Sequence, residues 1–136
     1  MAPSRIVRSV VLDASALTEA SREGTQLRIQ VHRSIRRGAE VYTTAATLTE
    51  VLRGHPRDAL IYRMLNSLSV RVVDEALGRA AGERIGRREV RGNVTLDALV
   101  AELASSLPRP VVVMTADVDD ITALVDDDVM VLDVAA

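Results

Sequence analysis

Residues 10–17 read VVLDASAL, a stretch in which three aliphatic side chains run directly into an acidic residue, Asp13. A continuous run of β-branched and aliphatic residues, without alternating polar positions, indicates a strand that is buried on both faces. Similar short, Val-rich runs recur along the chain. They are Val41-Tyr42-Thr43, Val70 to Val73, Val111 to Met114 and Val129 to Leu132.

Helical patterns separate these runs. The clearest is an apolar stripe with spacing i, i+3, i+4, i+7 and i+11, which lies on one face of a helix. Its members are Leu96, Leu99, Val100, Leu103 and Leu107. Strands that alternate with helices predict a parallel sheet with helices packed on both sides. At 136 residues, the chain is expected to form one domain, residues 1–136.

The composition excludes several classes of site. The sequence contains no Cys, and all 17 of its basic residues are Arg. Without Cys there is no disulfide, thiolate metal site or Cys nucleophile. Without Lys there is no P-loop and no Schiff-base chemistry. Phe and Trp are also absent, which argues against a base-stacking platform for RNA.

Hydropathy and charge narrow the class of protein further. A hydrophobic fraction of 48% is typical of a packed globular chain rather than a disordered one. No apolar run approaches the roughly 20 residues that span a bilayer. We therefore expect a cytoplasmic protein with no membrane partner. The net charge of −2 neither favours nor excludes nucleic acid, because binding depends on local patches.

Four acidic residues are expected at one edge of the sheet. Asp13 ends the first strand and Asp117 follows the fourth. Glu50 lies in the helix after the second strand, and Asp97 lies near the start of the Leu-striped helix that leads into the fourth. Ligands of open parallel sheets bind beyond the carboxyl ends of the strands, so these positions are candidates for a shared site.

Each acid also has a structural explanation. Asp13 and Asp117 can cap the helices that follow them. The segment Thr47-Leu48-Thr49-Glu50 matches a capping box, in which the Glu reaches back to the first residue of the helix. Asp97 near a helix start suits the helix dipole. Taken singly, capping is the more common role for such residues.

Taken together, the four acids favour a metal site. Clustered carboxylates repel one another, and a bound cation relieves that repulsion. An oxygen-only ligand set without His or Cys selects a hard ion, Mg²⁺ or Mn²⁺. Such an ion, which activates water and stabilises charge on phosphate, is typical of phosphodiester hydrolysis.

These motifs resemble those of PIN domains, and their order and spacing resemble VapC-type toxins, the ribonuclease halves of toxin–antitoxin pairs. The resemblance covers essentially the whole chain. Its residues are Val-Val-Leu-Asp13-Ala-Ser15-Ala-Leu, Thr47-Leu-Thr-Glu50-Val-Leu-Arg-Gly, Asp97-Ala-Leu-Val-Ala and Met-Thr115-Ala-Asp117-Val-Asp119-Asp120. The sequence departs from the usual family pattern before the third acid, Asp97, where it reads Val94-Thr95-Leu96.

The resemblance implies an α/β fold, a three-layer α/β/α sandwich with a central five-stranded parallel sheet. It also implies an Mg²⁺- or Mn²⁺-dependent endoribonuclease toxin that a small cognate antitoxin inhibits, and a homodimer. The implied catalytic and metal-binding residues are Asp13, Glu50, Asp97 and Asp117. The hydroxyls of Ser15 and Thr115 would orient the site. Asp119 and Asp120 are both candidates for a further carboxylate.

A group of arginines precedes the third acid. Arg84, Arg87, Arg88 and Arg91 share one face if the helix continues through them, and they are candidate contacts to the RNA backbone. A solvated face paired with nearby Glu residues explains them equally well. The acidic run Asp126-Asp127-Asp128 is interpreted as a solvated turn before the last strand.

Three other functions fit parts of the pattern. A receiver-like α/β domain also has an acidic Mg²⁺ pocket, but it needs a Lys that this sequence lacks. A PIN-type nuclease that processes RNA outside a toxin–antitoxin system has the same acids, although the short chain favours the toxin. A non-catalytic module that binds metal or RNA would have no need for all four carboxylates.

Overall fold

The computed structural model describes residues 6–135 of the chain, so residues 1–5 and 136 of the expected domain lie outside the described residues. Its centre is a five-stranded sheet of order β3-β2-β1-β4-β5, in which all neighbouring strands are parallel. The strands are β1 (Ser9–Leu12), β2 (Glu40–Thr44), β3 (Ser69–Arg71), β4 (Val111–Thr115) and β5 (Met130–Asp133). The expected α/β architecture is thereby confirmed.

Helices connect the strands and cover both faces of the sheet. One buried cluster joins one face to α1, α2 and α4, and a second joins the other face to α5, α6 and α7. The helices are α1 (Ala14–Ser21), α2 (Gln26–Arg36), α3 (Ala45–Val51), α4 (Asp58–Leu65), α5 (Glu75–Arg87), α6 (Thr95–Ser106) and α7 (Val118–Leu124). None of these helices has both the length and the apolar character needed to cross a bilayer.

The strands differ in burial according to their place in the sheet. Every residue of β1 and β4 is buried, as their continuous aliphatic runs predict. The edge strands β3 and β5 are largely exposed, so the expectation of burial on both faces is wrong for these two. The third strand also lies earlier than its Val-rich run suggested. Val72 and Val73 follow it as exposed residues of the connecting segment.

The order of the strands creates the position of the site. The chain builds outward from β1 in one direction through β2 and β3, and then returns to the other side of β1 with β4. The crevice between the carboxyl ends of β1 and β4 is therefore a topological switch point, where α/β proteins bind ligands. The register pairs Leu12 with Met114, which brings the residues that follow both strands together.

An ion-pair network joins α5 to α6 and to the loop before β5. Arg84 is only 5% exposed, and its guanidinium donates to Glu102 at 2.6 Å, to Asp126 at 2.8 Å and to the Leu124 carbonyl at 2.9 Å. Arg109 also donates to Asp126, at 3.0 Å. Asp126 is therefore an ion-pair partner, and the interpretation of the acidic run as a purely solvated turn is wrong for this residue.

Candidate metal centre

Asp13 is held in place by three donors. It is the N-cap of α1 and is 5% exposed; its Oδ1 accepts hydrogen bonds from the Ser15 hydroxyl at 2.7 Å and the Ala16 amide at 3.0 Å. The Thr115 hydroxyl donates to the other oxygen, Oδ2. A buried carboxylate with this many donors is fixed in one orientation.

The same two hydroxyls join the ends of β1 and β4. The Ser15 oxygen accepts from the Ala116 amide at 2.9 Å, and the Thr115 oxygen accepts from the Asp117 amide at 2.8 Å. Each hydroxyl thus donates to Asp13 and accepts from the backbone that leads to Asp117. The structure places both residues predicted to orient the site in direct contact with one of its acids.

Asp97 and Asp117 lie beside Asp13. One carboxylate oxygen from each of the three residues lies within 4.8 Å of the other two. Asp97 is in the first turn of α6 and partly buried, and Asp117 precedes α7 and is exposed. Neither side chain makes a capping hydrogen bond with its helix. Side-chain capping therefore does not account for Asp117, whereas the first-turn position of Asp97 agrees with the helix-dipole explanation.

Glu50 approaches the cluster from a fourth element, α3. It lies in the last turn of α3, and it lines the same cavity as the three aspartates without joining their 4.8 Å cluster. The N-cap of α3 is Thr44, whose hydroxyl accepts from the Thr47 amide at 3.2 Å. The capping box that starts at Thr47 is wrong, because the helix begins three residues earlier.

The carboxylates disfavour one another's charge. Burial, and after it the charge of Asp117, raises the pKa of Asp97 to about 6. Smaller contributions come from Asp120, Asp13 and Glu50. Loss of solvent around the Glu50 carboxyl raises its pKa as well, together with the charges of Asp13 and Asp117. A cation placed among these groups would reverse the effect and favour their charged forms.

The acids surround a cavity of about 300 Å³, hereafter the acidic cavity. Its polar lining consists of Asp13, Ser15, Thr47, Glu50, Asn93, Asp97, Asp117 and Asp120. Within residues 6–135, no basic side chain lines it. A set of hard oxygen donors with no internal counter-charge suits Mg²⁺ or Mn²⁺. The residues present therefore fit the expected ion.

The acidic cavity distinguishes the two candidates for a further carboxylate. Asp120 lines it and adds to the raised pKa of Asp97, whereas Asp119 is not part of its lining. Asn93 also lines it and was not among the predicted residues. It lies four positions before Asp97, but an amide before a helix is too common a signal to single out.

The predicted arginine group is divided by the structure. Arg84 is buried in the ion-pair network described above, so it is a structural residue and cannot contact RNA from that position. The helix ends at Arg87. Arg91 therefore lies in the following loop and does not share a helical face with the others. Arg88 lies 3.5 Å from Asp127, in an exposed ion pair. For Arg87, Arg88 and Arg91, contact with RNA stays a prediction.

Solved structures with the same architecture cover almost all of the chain. A structure of VapBC2 from Rickettsia felis bound to a fragment of promoter DNA aligns with a TM-score of 0.68 and 12% identity, over 90% of this chain and 96% of that one. A DNA-bound VapBC from Salmonella typhimurium aligns with a TM-score of 0.67 and 17% identity, over 93% and 98%. The chain shares the PIN-like fold of these structures.

A third similar structure extends the comparison. FitAcB from Neisseria gonorrhoeae aligns with a TM-score of 0.63 and 19% identity, over 90% of this chain and 96% of that one. No family model matches the sequence, and no curated protein matches it significantly. The PIN-like fold predicted from four short motifs is thus confirmed. The evidence is the similar arrangement of the backbone, since the overall sequence identity is low.

Proposed function

We propose that the chain is a metal-dependent endoribonuclease toxin. The observation that carries the proposal is the convergence of Asp13, Asp97 and Asp117, whose carboxylate oxygens lie within 4.8 Å of one another in a cavity without a basic lining among the described residues. The VapC-type PIN fold supports the same class of activity. RNA is the substrate class that the motif resemblance implies.

Each acid has a distinct part in the proposed site. Asp13, fixed by Ser15 and Thr115, provides a rigid ligand for Mg²⁺ or Mn²⁺, and Asp97 and Asp117 complete the binding set. A bound divalent ion supplies Lewis-acid chemistry, namely activation of water and stabilisation of charge on the phosphate. Glu50 lines the same cavity from α3 and adds a fourth carboxylate to the proposed catalytic and metal-binding set.

Two protein partners belong to this proposal. A free ribonuclease would damage its own cell, so we expect a small cognate antitoxin that blocks the acidic cavity. An Arg of such a partner could occupy the cation position by pairing with the carboxylates. The resemblance to VapC-type toxins also predicts a homodimer, which light scattering of the purified chain would detect as twice the mass of one copy.

The decisive test compares charge-removing variants in single-turnover cleavage of a structured RNA in Mg²⁺. Asp97→Asn keeps the shape of the side chain and should reduce cleavage about a thousandfold or more, because residues that act as a unit fail together. Glu50→Gln should give a loss of several orders of magnitude as well. Both variants should melt at or above the wild-type temperature, which would show that the fold is intact.

Asp119→Asn is the matched control. Asp119 is an exposed acid near Asp117 but does not line the acidic cavity, so its replacement should leave cleavage within about twofold of wild type. Wild-type rates in both Asp97→Asn and Glu50→Gln would contradict the proposed active site. RNA binding without cleavage by the wild-type chain would instead favour a non-catalytic RNA-binding module.

A further inference from the structure

A second cavity adjoins the acidic cavity and shares Glu50 with it. It has a volume of about 410 Å³ and lies between the C-terminal end of α1, the segment that follows α3 and the first turn of α4. Because Glu50 lines both cavities, they lie side by side, and we treat them together as a groove with an acidic half and a second half. We call this second half the arginine cavity after Arg22, Arg53 and Arg57, which line it.

The three arginines have few competing partners. Arg57 makes no side-chain hydrogen bond or ion pair with any residue from 6 to 135. Arg22 pairs with Glu19 at 3.4 Å in an exposed salt bridge, which contributes little to stability. Arg53 donates to the Thr49 and Leu52 carbonyls and forms no ion pair within residues 6–135, although its charge acts on the neighbouring Glu50.

The one buried acid of the arginine cavity is already engaged. Asp58 is 7% exposed, and its Oδ2 accepts from the amides of Arg53 at 2.9 Å and Gly54 at 2.8 Å. These backbone donors, with that of Arg53 foremost, lower the pKa of Asp58. This carboxylate therefore stabilises the turn between α3 and α4, and the exposed rim of the cavity is dominated by guanidinium groups.

The lining of the arginine cavity is mixed in character. Besides the charged rim it contains Val51, Leu60 and Ile61, three partly buried aliphatic residues. A nucleotide strand has the complementary properties, because its phosphates pair with guanidinium groups and its bases have apolar faces. An aliphatic surface can cover a base, and the described lining of this cavity contains no aromatic residue for stacking.

We infer that the arginine cavity binds the RNA strand next to the bond that is cleaved, with Arg22 and Arg57 contacting its phosphates. The inference rests on the proposed function, since the cavity adjoins that site at Glu50. It also separates two tasks, with metal binding in the acidic half of the groove and backbone recognition in the other. An acidic protein segment is the competing occupant.

The test measures RNA binding by the Arg22→Gln/Arg57→Gln double variant. All proteins carry Asp97→Asn, so that the probe is not cleaved, and the probe is a fluorescent single-stranded RNA of about ten nucleotides. Affinity should fall by about tenfold or more. The slope of log affinity against log salt should decrease by about 0.7 for each lost phosphate contact, thus by about 1.4.

Arg8→Gln/Arg79→Gln is the matched control. Both residues are exposed arginines that lie outside the groove, Arg8 before β1 and Arg79 on α5 at the other face of the sheet. This variant removes the same total charge and should retain the wild-type slope. An equal loss in both double variants would reveal a nonspecific effect of net charge and would overturn the inference.

The remaining outcomes separate this inference from the proposed function. Unchanged RNA affinity and slope in Arg22→Gln/Arg57→Gln would overturn the inference, even if Asp97→Asn abolishes cleavage. Selective loss of affinity would support it, even if the wild-type chain proved unable to cleave RNA. If the double variant lost binding to hexaglutamate and kept its affinity for RNA, the cavity would be a site for an acidic protein segment instead.

Discussion

Asp13 has two roles that are usually alternatives for a single side chain. One of its oxygens caps α1, and the same carboxylate contributes an oxygen to the three-acid cluster. The Ser15 and Thr115 hydroxyls donate to it from two different directions, which leaves a lone pair on Oδ2 for a cation. A carboxylate held in this way loses little further conformational entropy when it binds an ion, and such preorganisation favours affinity.

Asp117 offers the cleanest test of metal binding. It is exposed and makes no capping hydrogen bond, so Asp117→Asn should fold normally. Mn²⁺ should raise the melting temperature of the wild-type chain by mass action, and this increase should be much smaller in Asp117→Asn. Differential scanning fluorimetry across a Mn²⁺ titration measures both. Asp119→Asn should respond as wild type does, and equal shifts in all three proteins would exclude Asp117 as a ligand.

Asp97 should make the metal-free chain sensitive to pH. Its pKa is 3.8 when unperturbed and about 6 in the folded chain, so folding favours the protonated form. This contribution to stability is fully present below pH 3.8 and is lost as the pH rises through about 6. At pH 7 the loss is about 1 kcal/mol, after allowance for partial exposure.

Urea unfolding in EDTA, compared between wild type and Asp97→Asn across that pH range, measures the effect. The variant should be the more stable protein at pH 7, and the difference should shrink or reverse at the acidic end. A constant difference at every pH would mean that Asp97 titrates normally. Saturating Mn²⁺ should remove the advantage of the variant, because a cation offsets the repulsion.

At the scale of helices and strands, the sequence predicts best where burial is continuous. The aliphatic runs of β1 and β4 identify central strands because both faces of each are covered. Val72 and Val73 continue a Val-rich run at the edge strand β3, but they are exposed and follow the strand. The run of Val residues therefore does not show where β3 ends. Pairing with a neighbour, which composition does not encode, sets the bounds of β3.

Helix starts and buried arginines were predictable only in part. Residues 44–47 and 47–50 both begin with a Thr that can cap a helix, and the sequence alone does not choose between them. Because β2 ends at Thr44, the helix begins directly after it and Thr44 is the N-cap. The spacing around Arg84 likewise predicts that it lies on a helix face, but not what packs against that face. In the structure, α6 and the loop before β5 pack there and provide the acids that pair with Arg84.

The Arg84 network should contribute strongly to stability. Arg84→Met leaves Glu102 and Asp126 without their principal donor, and we expect a loss of about 2–3 kcal/mol in the free energy of unfolding. Arg79→Met is the control, because Arg79 and Glu75 form an exposed pair on the same helix. Its expected cost is below about 0.5 kcal/mol.

Urea unfolding of both variants at neutral pH measures these differences. Similar small losses in Arg84→Met and Arg79→Met would contradict a structural role for Arg84. The RNA-contact interpretation would then regain support. A large loss for Arg84→Met alone would confirm that its main contribution is to join α5, α6 and the loop before β5.

At the scale of the whole molecule, the proposed activity predicts toxicity. Production of the wild-type chain in a bacterial host should arrest growth and deplete RNA, whereas Asp97→Asn should do neither. Asp119→Asn serves again as the active control, with protein levels matched by immunoblotting. Equal growth of cells that make the wild-type chain and Asp97→Asn would count against a toxin, and a nuclease with a role in RNA processing would then be favoured.

The central position of β1 has a consequence for biosynthesis. Asp13 leaves the ribosome well before Thr115, whose hydroxyl holds it and lies 102 positions later, and before Asp117. A nascent chain therefore contains half of the crevice long before it contains the other half. Translation that stops before β4, at a premature codon or a stalled ribosome, would yield a fragment that lacks Thr115 and Asp117 and, on the proposed function, cannot cleave RNA.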